Sequence, residues 1–206
     1  MYYLSRNPAL ARARLTRLRP TQLSIGYAEV ELKAAQWARL GKRQRVIELE
    51  QHVFPAVLGP SKAYYIIDHH HLGIALLEQG IKEVLVAVLD DLTWLELSVF
   101  WRTLEYRSWS HPYDSQGRRR DYRDMPRRLT DLEDDPYRSL ADHVQKLGGY
   151  AATDVPYEEF LWADYFRERI DIGKDGAGWD NAVATALALA KDIKGKCLPG
   201  WCGPQQ

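Results

Sequence analysis

A hairpin-like segment that leads directly into a helix constrains the fold more than any other part of the chain. Two short β-rich runs, VFPAVL (53–58) and AYYIID (63–68), are separated by GPSK, which is typical of a hairpin turn. The second run continues into HHHLGIALLEQ (69–79), which has a helical composition, and Gly80 follows its end. We therefore predict a strand that delivers Asp68 to the N-cap of a helix.

Similar patterns predict the other elements of the N-terminal half. EVLVAVL (83–89) is almost wholly apolar, as a strand buried on both faces would be. Apolar residues recur at helical spacing within 27–40, and Gly41 follows that helix. The remaining predictions are a strand over 14–19 that Pro20 ends, a short helix within 43–51, and a helix that a capping box at 93–96 opens and that continues to about residue 107.

Strand patterns disappear after about residue 94. A connection rich in arginine and aromatic residues occupies 108–128. Three segments with helical patterns follow it, over 136–147, 156–169 and 180–194. The predicted fold class is therefore α+β, with a small mixed α/β domain over 12–93 and an all-helical C-terminal half over 94–206.

The charge balance excludes a protein whose overall field attracts polyanions. Lysine plus arginine and aspartate plus glutamate number 28 each, so the formal net charge is zero. Any affinity for nucleic acid must then come from a local patch of positive charge. No run approaches the roughly 20 apolar residues that cross a bilayer, and we expect no membrane partner.

The two cysteines, Cys197 and Cys202, bear on the compartment. Their spacing suits either a small disulfide loop or two free thiols. Without another cysteine or histidine nearby they make a poor zinc site. The N-terminal residues lack the apolar core of a secretory signal, so we expect a cytoplasmic protein, and the cysteine pair leaves an exported form open.

The junction of the second predicted strand with its helix is suited to anion chemistry. The first turn of a helix presents backbone N–H groups and the positive end of the helix dipole. The histidines at 69–71 bring imidazoles to the same place, and imidazole donates to phosphate, transfers protons or binds metals. Three consecutive histidines cannot share one direction on a helix, so at most two of them face one site.

This corner resembles that of the ParB/sulfiredoxin superfamily. In its free-serine-kinase branch the corner has the pattern D-G-H-H-R-x-x-A, and Asp68, His70, His71 and Ala75 occupy its D, H, H and A positions. LRPTQLSIG (18–26) is similar to the entry segment of ParB-type domains. The resemblance extends to the subgroup named putative ParB-like nucleases through DDPYRSLA (134–141), GGY (148–150) and EFLWADYFR (159–167).

Two departures from the superfamily pattern limit what the resemblance implies. His70 stands where the sulfiredoxin branch has its catalytic cysteine, which argues against sulfinic-acid reduction. Leu72 stands where the kinase and partition branches use an arginine to hold phosphate. Arg19, Lys33 or an arginine from 118–120 is a possible substitute for that cation.

The resemblance also implies a set of functional residues. The catalytic residues that it implies are Asp68, His70, His71 and Glu29, with Glu31 as an alternative base to Glu29. The implied phosphate- or nucleotide-binding residues are Thr21, Gln22, Gly26, Lys33 and His69. The ligand would be a nucleotide or a phosphorylated small molecule, with or without Mg²⁺, for which Asp68 is the one candidate ligand.

Each of these residues also has a purely structural interpretation. Asp68 as a helix cap alone would stabilise the helix by about 1 kcal/mol. His70 and His71 fit a partly buried helix face, and His69 fits a solvent-facing position. The stretch from Thr21 to Gly26 fits a turn, and the charges of the first helix fit a solvated surface.

The connection also carries a basic run, RRRDYRDMPRR (118–128). Arginine with interleaved tyrosine suits phosphate contact and base stacking, so Arg118, Arg119, Arg120 and Arg123 are candidates for nucleic-acid binding. The acidic run DLEDD (131–135) follows at once, and internal ion pairs are the structural alternative.

Three classes of function follow from these features. The first is a phosphate- or nucleotide-binding enzyme, either a hydrolase (nuclease or nucleotidase) or a phosphotransferase such as a small-molecule kinase. The second is a nucleic-acid-binding module on the same fold, and the third is a catalytically silent module that binds a protein. The lost arginine at Leu72 favours the third, whereas the corner favours the first.

Overall fold

The computed structural model describes residues 8–173 and 178–204, which form two compact units. The first unit ends at Glu133 and the second begins at Asp134. The strands are β1 (Ala9–Arg14), β2 (Ser24–Ile25), β3 (Phe54–Gly59), β4 (Ala63–Ile66), β5 (Glu83–Asp91) and β6 (Glu133–Asp134). The helices are α1 (Tyr27–Ala38), α2 (Lys42–Gln51), α3 (His70–Glu78), α4 (Leu97–Tyr106), α5 (Pro136–Lys146), α6 (Glu158–Arg167) and α7 (Trp179–Lys191).

This arrangement confirms the α+β class. The predicted division into 12–93 and 94–206 stays a prediction. The boundary between the two compact units follows Glu133 in the chain.

The first unit is built on a four-stranded mixed sheet with the order β1-β5-β3-β4. β3 and β4 form the predicted antiparallel hairpin, with Ala56 opposite Ile66 and Gly59 opposite Ala63. β5 lies between β1 and β3, antiparallel to the first and parallel to the second. The interior side chains of β5 are buried or half-buried on both faces of the sheet, which explains its apolar sequence.

Helices cover both faces of this sheet. On one face α1 and α3 pack with apolar residues of β3 and β5 into a core that contains Val30, Trp37 and Phe54. On the other face α4 packs its Phe100 and Trp101 against Tyr65 of β4. The sheet is therefore the middle layer of the first unit.

The N-terminal strand lies earlier than the sequence pattern indicated. The strand predicted over 14–19 is wrong: β1 ends at Arg14 and a 3₁₀ turn occupies Leu15–Arg17. Leu15 and Leu18 are fully buried, and their spacing of three suits the turn rather than an extended strand. Arg19 then pairs with β4, since its N–H donates to the carbonyl of Tyr64 at 2.9 Å.

The start of α4 also differs from its predicted cap. The capping box at 93–96 does not form, because α4 begins at Leu97 and its N-cap Glu96 makes no side-chain cap bond. Thr93 instead turns back toward β5, where its N–H and hydroxyl both donate to Asp91 Oδ1, at 3.0 and 2.7 Å. The local turn thus uses the hydroxyl that the capping box would need.

The second unit is a group of three helices with a core of its own. α5, α6 and α7 correspond to the three helices predicted there, and Trp162 and Phe166 are completely buried between them. Asp135 caps α5 by accepting from the N–H of Tyr137 at 3.0 Å, ahead of Pro136 in the first turn. Arg167 of α6 also donates to Asp135, at 2.5 Å.

Two further expectations concern the thiols and the membrane. Cys197 and Cys202 are both exposed and unpaired, so the free-thiol alternative holds in this structure. Within the described ranges, every helix is too short or too polar to cross a bilayer.

Candidate functional site

The corner between β4 and α3 is formed by two residues with unusual roles. His69 adopts the left-handed conformation, with φ at 65°, and is itself the N-cap of α3. Asp68 is exposed, and its Oδ1 accepts from the N–H of His69 at 2.6 Å. The prediction that Asp68 is the helix cap is therefore wrong. His69, in its left-handed conformation, lies between Asp68 and the first residue of α3. The carboxylate of Asp68 therefore bonds to the backbone of His69 and not to the first turn of the helix.

The ring of His69 lies in a half-buried site of mixed character. It meets the ring of Phe54 edge-on, with centroids 5.4 Å apart, and that of His52 at 6.4 Å. Burial lowers the pKa of His69 below its ordinary value of 6.5, and the positive charges of His52 and Lys33 act in the same direction, against Asp68. The lowered pKa keeps the imidazole neutral at pH 7, so a ring nitrogen is free of its proton and can act as a base.

Lys33 reaches this corner from α1. Its ammonium pairs with Glu29, one helical turn earlier, at 3.0 Å. α1 packs against α3, and the charge of Lys33 acts on His69 from that neighbouring helix. Two of the predicted residues, Glu29 and Lys33, thus enter the site as one ion pair.

His70 differs from His69 because its side chain is buried. Its side chain is only 4% exposed, and its Nε2 accepts from the N–H of Thr21 at 3.3 Å. The hydroxyl of Thr21 donates in turn to the carbonyl of Ile66 at 2.9 Å. An accepting Nε2 places the proton of a neutral ring on Nδ1, so His70 joins the entry segment to the corner.

The predicted phosphate-binding residues of the entry segment lie inside the fold. Gln22 is 7% exposed, and its side-chain amide donates to the carbonyl of Ser24 at 2.8 Å. Gly26 is the N-cap of α1 with an ordinary φ of −82°. These contacts shape the approach to α1, and a role of Thr21, Gln22 and Gly26 in phosphate binding stays a prediction.

The next two positions of α3 complete the corner. His71 is half-buried in the first turn of the helix. Leu72, which stands at the arginine position of the family pattern, packs against the core of the first unit. An apolar side chain therefore stands at the position of the family arginine. Lys33 is the lysine whose charge acts on His69.

Sequence reasoning missed several polar residues of this region. His52 lies beside His69 because it precedes β3, and the residue before one strand of a hairpin lies near the residue that follows its partner. The hairpin predicted from the sequence could therefore have indicated that His52 and His69 are neighbours. His111 donates its N–H to the carbonyl of Thr21 at 2.9 Å, and no local pattern indicated that pairing.

Ser24 and Ser110 are the other buried polar residues of this region that the sequence left unmarked. Their hydroxyls have no hydrogen-bond partner within residues 8–173 and 178–204.

The basic run of the connection is neutralised internally. Arg119 pairs with Glu105 at 2.8 Å, and Arg118 pairs with Asp114 at 2.9 Å. Arg120 and Arg123 likewise contact aspartates. Burial raises the pKa of Asp114, but the N–H groups and guanidinium of Arg118 hold it below its ordinary value. The structure therefore favours the ion-pair alternative for this run, and its binding of nucleic acid stays a prediction.

The metal prediction rests on Asp68 alone. In the part of the chain that the structure describes, no three or more histidine, cysteine, aspartate or glutamate side chains are grouped to hold a metal ion. Asp68 has one oxygen, Oδ2, with no hydrogen-bond partner among these residues. One carboxylate is a common protein contribution to Mg²⁺ when substrate phosphates supply other ligands.

Comparison with known proteins assigns the chain to a family. A family model described as "Putative ParB-like nuclease" matches residues 11–168. The chain is also similar to the crystal structure of protein Atu1540 from Agrobacterium tumefaciens, at 41% sequence identity and a TM-score of 0.90. That match covers 97% of this chain and 100% of the other. None of the curated proteins matches the chain.

Proposed function

The chain belongs to the putative ParB-like nuclease family, and from this premise we propose that it hydrolyses phosphate esters at the corner formed by Asp68 and His69. The observation that carries the proposal is the grouping of a carboxylate and two imidazoles at the start of α3, where the charge of an ammonium on α1 also acts. These groups belong to Asp68, His69, His52 and Lys33. Such a set combines a proton acceptor with positive charge for a phosphate.

Each group has a defined task in this proposal. Lys33 and the positive end of the α3 dipole attract the phosphate. His69, neutral at pH 7, takes a proton from the water that attacks phosphorus. The bond from phosphorus to the leaving oxygen then breaks, the leaving oxygen takes a proton from solvent to form an alcohol, and His69 releases its proton to solvent. The other product is a phosphate that carries the new oxygen.

Two residues support the site without touching the reacting atoms. His70 is a positioning residue, because its buried hydrogen bond with Thr21 holds the corner against the entry segment. Asp68 restrains the backbone of His69, and its second oxygen would hold a hydrated Mg²⁺ if that ion binds together with the substrate.

The test is hydrolysis by the wild type and by His69→Asn. Asparagine tolerates the left-handed conformation but cannot act as the base, so the corner keeps its shape. We expect the variant to lose about 10²–10⁴-fold in rate at pH 7.5, the usual contribution of a general base. The measurement follows cleavage of labelled oligonucleotides and of ATP, ADP, CTP and GTP, each with Mg²⁺ or with EDTA.

The matched control is His143→Asn, which changes an exposed histidine of the second unit. It should retain the wild-type rate. An active His69→Asn protein would show that the base is another residue. A wild type that cleaves none of these substrates, with or without Mg²⁺, would refute the hydrolase.

The position of Leu72 favours a second candidate, a binding module without catalysis. Its packing into the core removes the cation that the related branches use on phosphate. This candidate predicts ligand binding that stabilises the protein in a thermal shift assay, with no turnover by the wild type or by His69→Asn.

A further inference from the structure

A second basic feature lies on the first unit. Arg127 is its one contribution from the basic run of the connection, whose other arginines form ion pairs. It is a groove of about 690 Å³ between the end of β1, the 3₁₀ turn that follows it and the start of β4. The basic side chains that line it are Arg12, Arg14, Arg17, Arg19, Lys62 and Arg127. The only acidic side chain among its lining residues is Glu83. We call this the β1–β4 groove.

The positive charge of the β1–β4 groove is not used inside the fold. Within residues 8–173 and 178–204, Arg12, Arg14, Arg17, Lys62 and Arg127 form no ion pair, unlike Arg118 and Arg119 of the connection. Arg19 donates to the hydroxyl of Tyr65 at 3.1 Å and lies over its ring, which leaves its charge in place. In a chain of zero net charge, this concentration of cations marks a local site for anions.

The arrangement suits a polymer of phosphates better than a single one. The cations come from β1 and the residues that follow it, from the turn before β4 and from the connection, so several segments of the chain supply them. One phosphate has a charge of at most about −2, far below the charge of six cations. A nucleic-acid strand carries one charge per nucleotide, and Tyr64 in the same groove offers a ring for base stacking.

The groove also leads toward the proposed catalytic corner. Tyr64 lies in the groove at the start of β4, and Asp68 follows the end of the same strand. At about 3.3 Å per residue the two positions are roughly 13 Å apart along the chain. This span equals about four nucleotides at roughly 3.4 Å each.

We infer that the β1–β4 groove binds the sugar–phosphate backbone of a nucleic acid. The inference builds on the proposed hydrolase, because it names a polymer rather than a mononucleotide as the substrate class. The groove would hold the strand while one phosphodiester lies at the corner.

The test measures binding of a labelled single-stranded oligonucleotide of about 20 nucleotides by anisotropy over a range of salt concentrations. The variant is the triple substitution Arg12→Gln, Arg14→Gln and Arg17→Gln, at three exposed positions. Each lost phosphate contact lowers the slope of log K against log salt by about 0.7, so the slope should fall by about 2. Affinity at low salt should fall at least tenfold.

The control is the triple substitution Arg39→Gln, Lys42→Gln and Arg43→Gln, which removes the same charge from exposed positions outside the groove. It should bind as the wild type does. Equal losses in both triple variants, or no binding by the wild type, would overturn the inference. Groove-dependent binding to vesicles with anionic lipid but not to oligonucleotides would overturn it too.

A small diester separates this inference from the proposed function. Hydrolysis of bis(4-nitrophenyl) phosphate should survive the groove substitutions and be lost in His69→Asn. If His69→Asn keeps that activity while the groove variant loses oligonucleotide binding, the proposed site fails and the groove stands. If the groove variant cleaves oligonucleotides as well as the wild type does, the groove fails and the site stands.

Discussion

His69 and His70 are adjacent in the chain and lie in opposite environments. His69 is half-buried, and this burial lowers its pKa, whereas His70 is buried and accepts a hydrogen bond from the backbone of Thr21. The left-handed backbone at His69 causes the difference, because it ends the extended strand and turns the next residue into the helix. His69 is therefore the histidine that the proposed hydrolysis uses as its base.

The pKa of His69 predicts how stability depends on pH. The folded pKa is below the ordinary value of 6.5, so between these two values the unfolded chain binds more protons than the folded one. The contribution of His69 is therefore complete above pH 6.5 and is lost as the pH falls through 6.5 toward the folded pKa. His69→Asn should remove this part of the acid sensitivity.

Melting temperatures from pH 8 to pH 5 measure this effect. The wild type should lose more than His69→Asn below pH 6.5, with about 2–4 °C for each kcal/mol of difference. Other titrating groups are common to both proteins and cancel in the comparison. Parallel pH profiles would show that the pKa of His69 is not lowered in the fold.

The β3–β4 hairpin, which leads into the corner, requires side chains to pack closely against its backbone at the turn. Gly59 ends β3, and a Cβ at this position would lie 2.6 Å from a ring carbon of Tyr65 and 2.7 Å from one of Phe100. Both rings are buried between β4 and α4. The absence of a side chain at Gly59 therefore lets α4 pack against the hairpin.

We predict that Gly59→Ala destabilises the protein by about 1–3 kcal/mol, the usual cost of overpacking a core. Urea unfolding measures the change. Gly41→Ala is the control, because a Cβ there meets no atom within 4 Å and φ is an ordinary −69°. It should change stability by less than about 1 kcal/mol. Similar losses at both glycines would contradict the packing argument.

The two compact units have separate hydrophobic cores, and each has its own stabilising polar contacts. In the second unit Asp135 is only 1% exposed and pairs with Arg167 at 2.5 Å. Burial raises the pKa of Asp135, and the charge of Arg167 opposes that rise. Removal of the arginine would leave a buried carboxylate without its counter-charge.

Arg167→Ala should therefore destabilise the second unit by about 3–5 kcal/mol. Hydrogen exchange should speed up in α5–α7 while the amides of β3–β5 keep their protection, because the cores are distinct. Lys146→Ala, which removes a surface ion pair of α5, should cost about 0.3–0.5 kcal/mol. Loss of protection throughout both units would show that they unfold as one.

Local patterns determined a large part of this protein. Alternation, turn residues and helical periodicity predicted the hairpin, the corner at 68–71, the central strand β5 and the three C-terminal helices. The motifs around the corner also indicated the family. All of these features depend on residues that are near one another in the chain, which is why the sequence was sufficient for them.

Only the tertiary structure decided which polar groups the site can use. His70 is buried by Thr21, which is 49 residues away, and the arginines of 118–123 meet carboxylates of their own unit. His52 and Lys33 reach His69 from other elements, and the unpaired cations of the β1–β4 groove are brought together from three segments. Burial and ion pairing depend on distance in space, and the packing of the chain determines that distance.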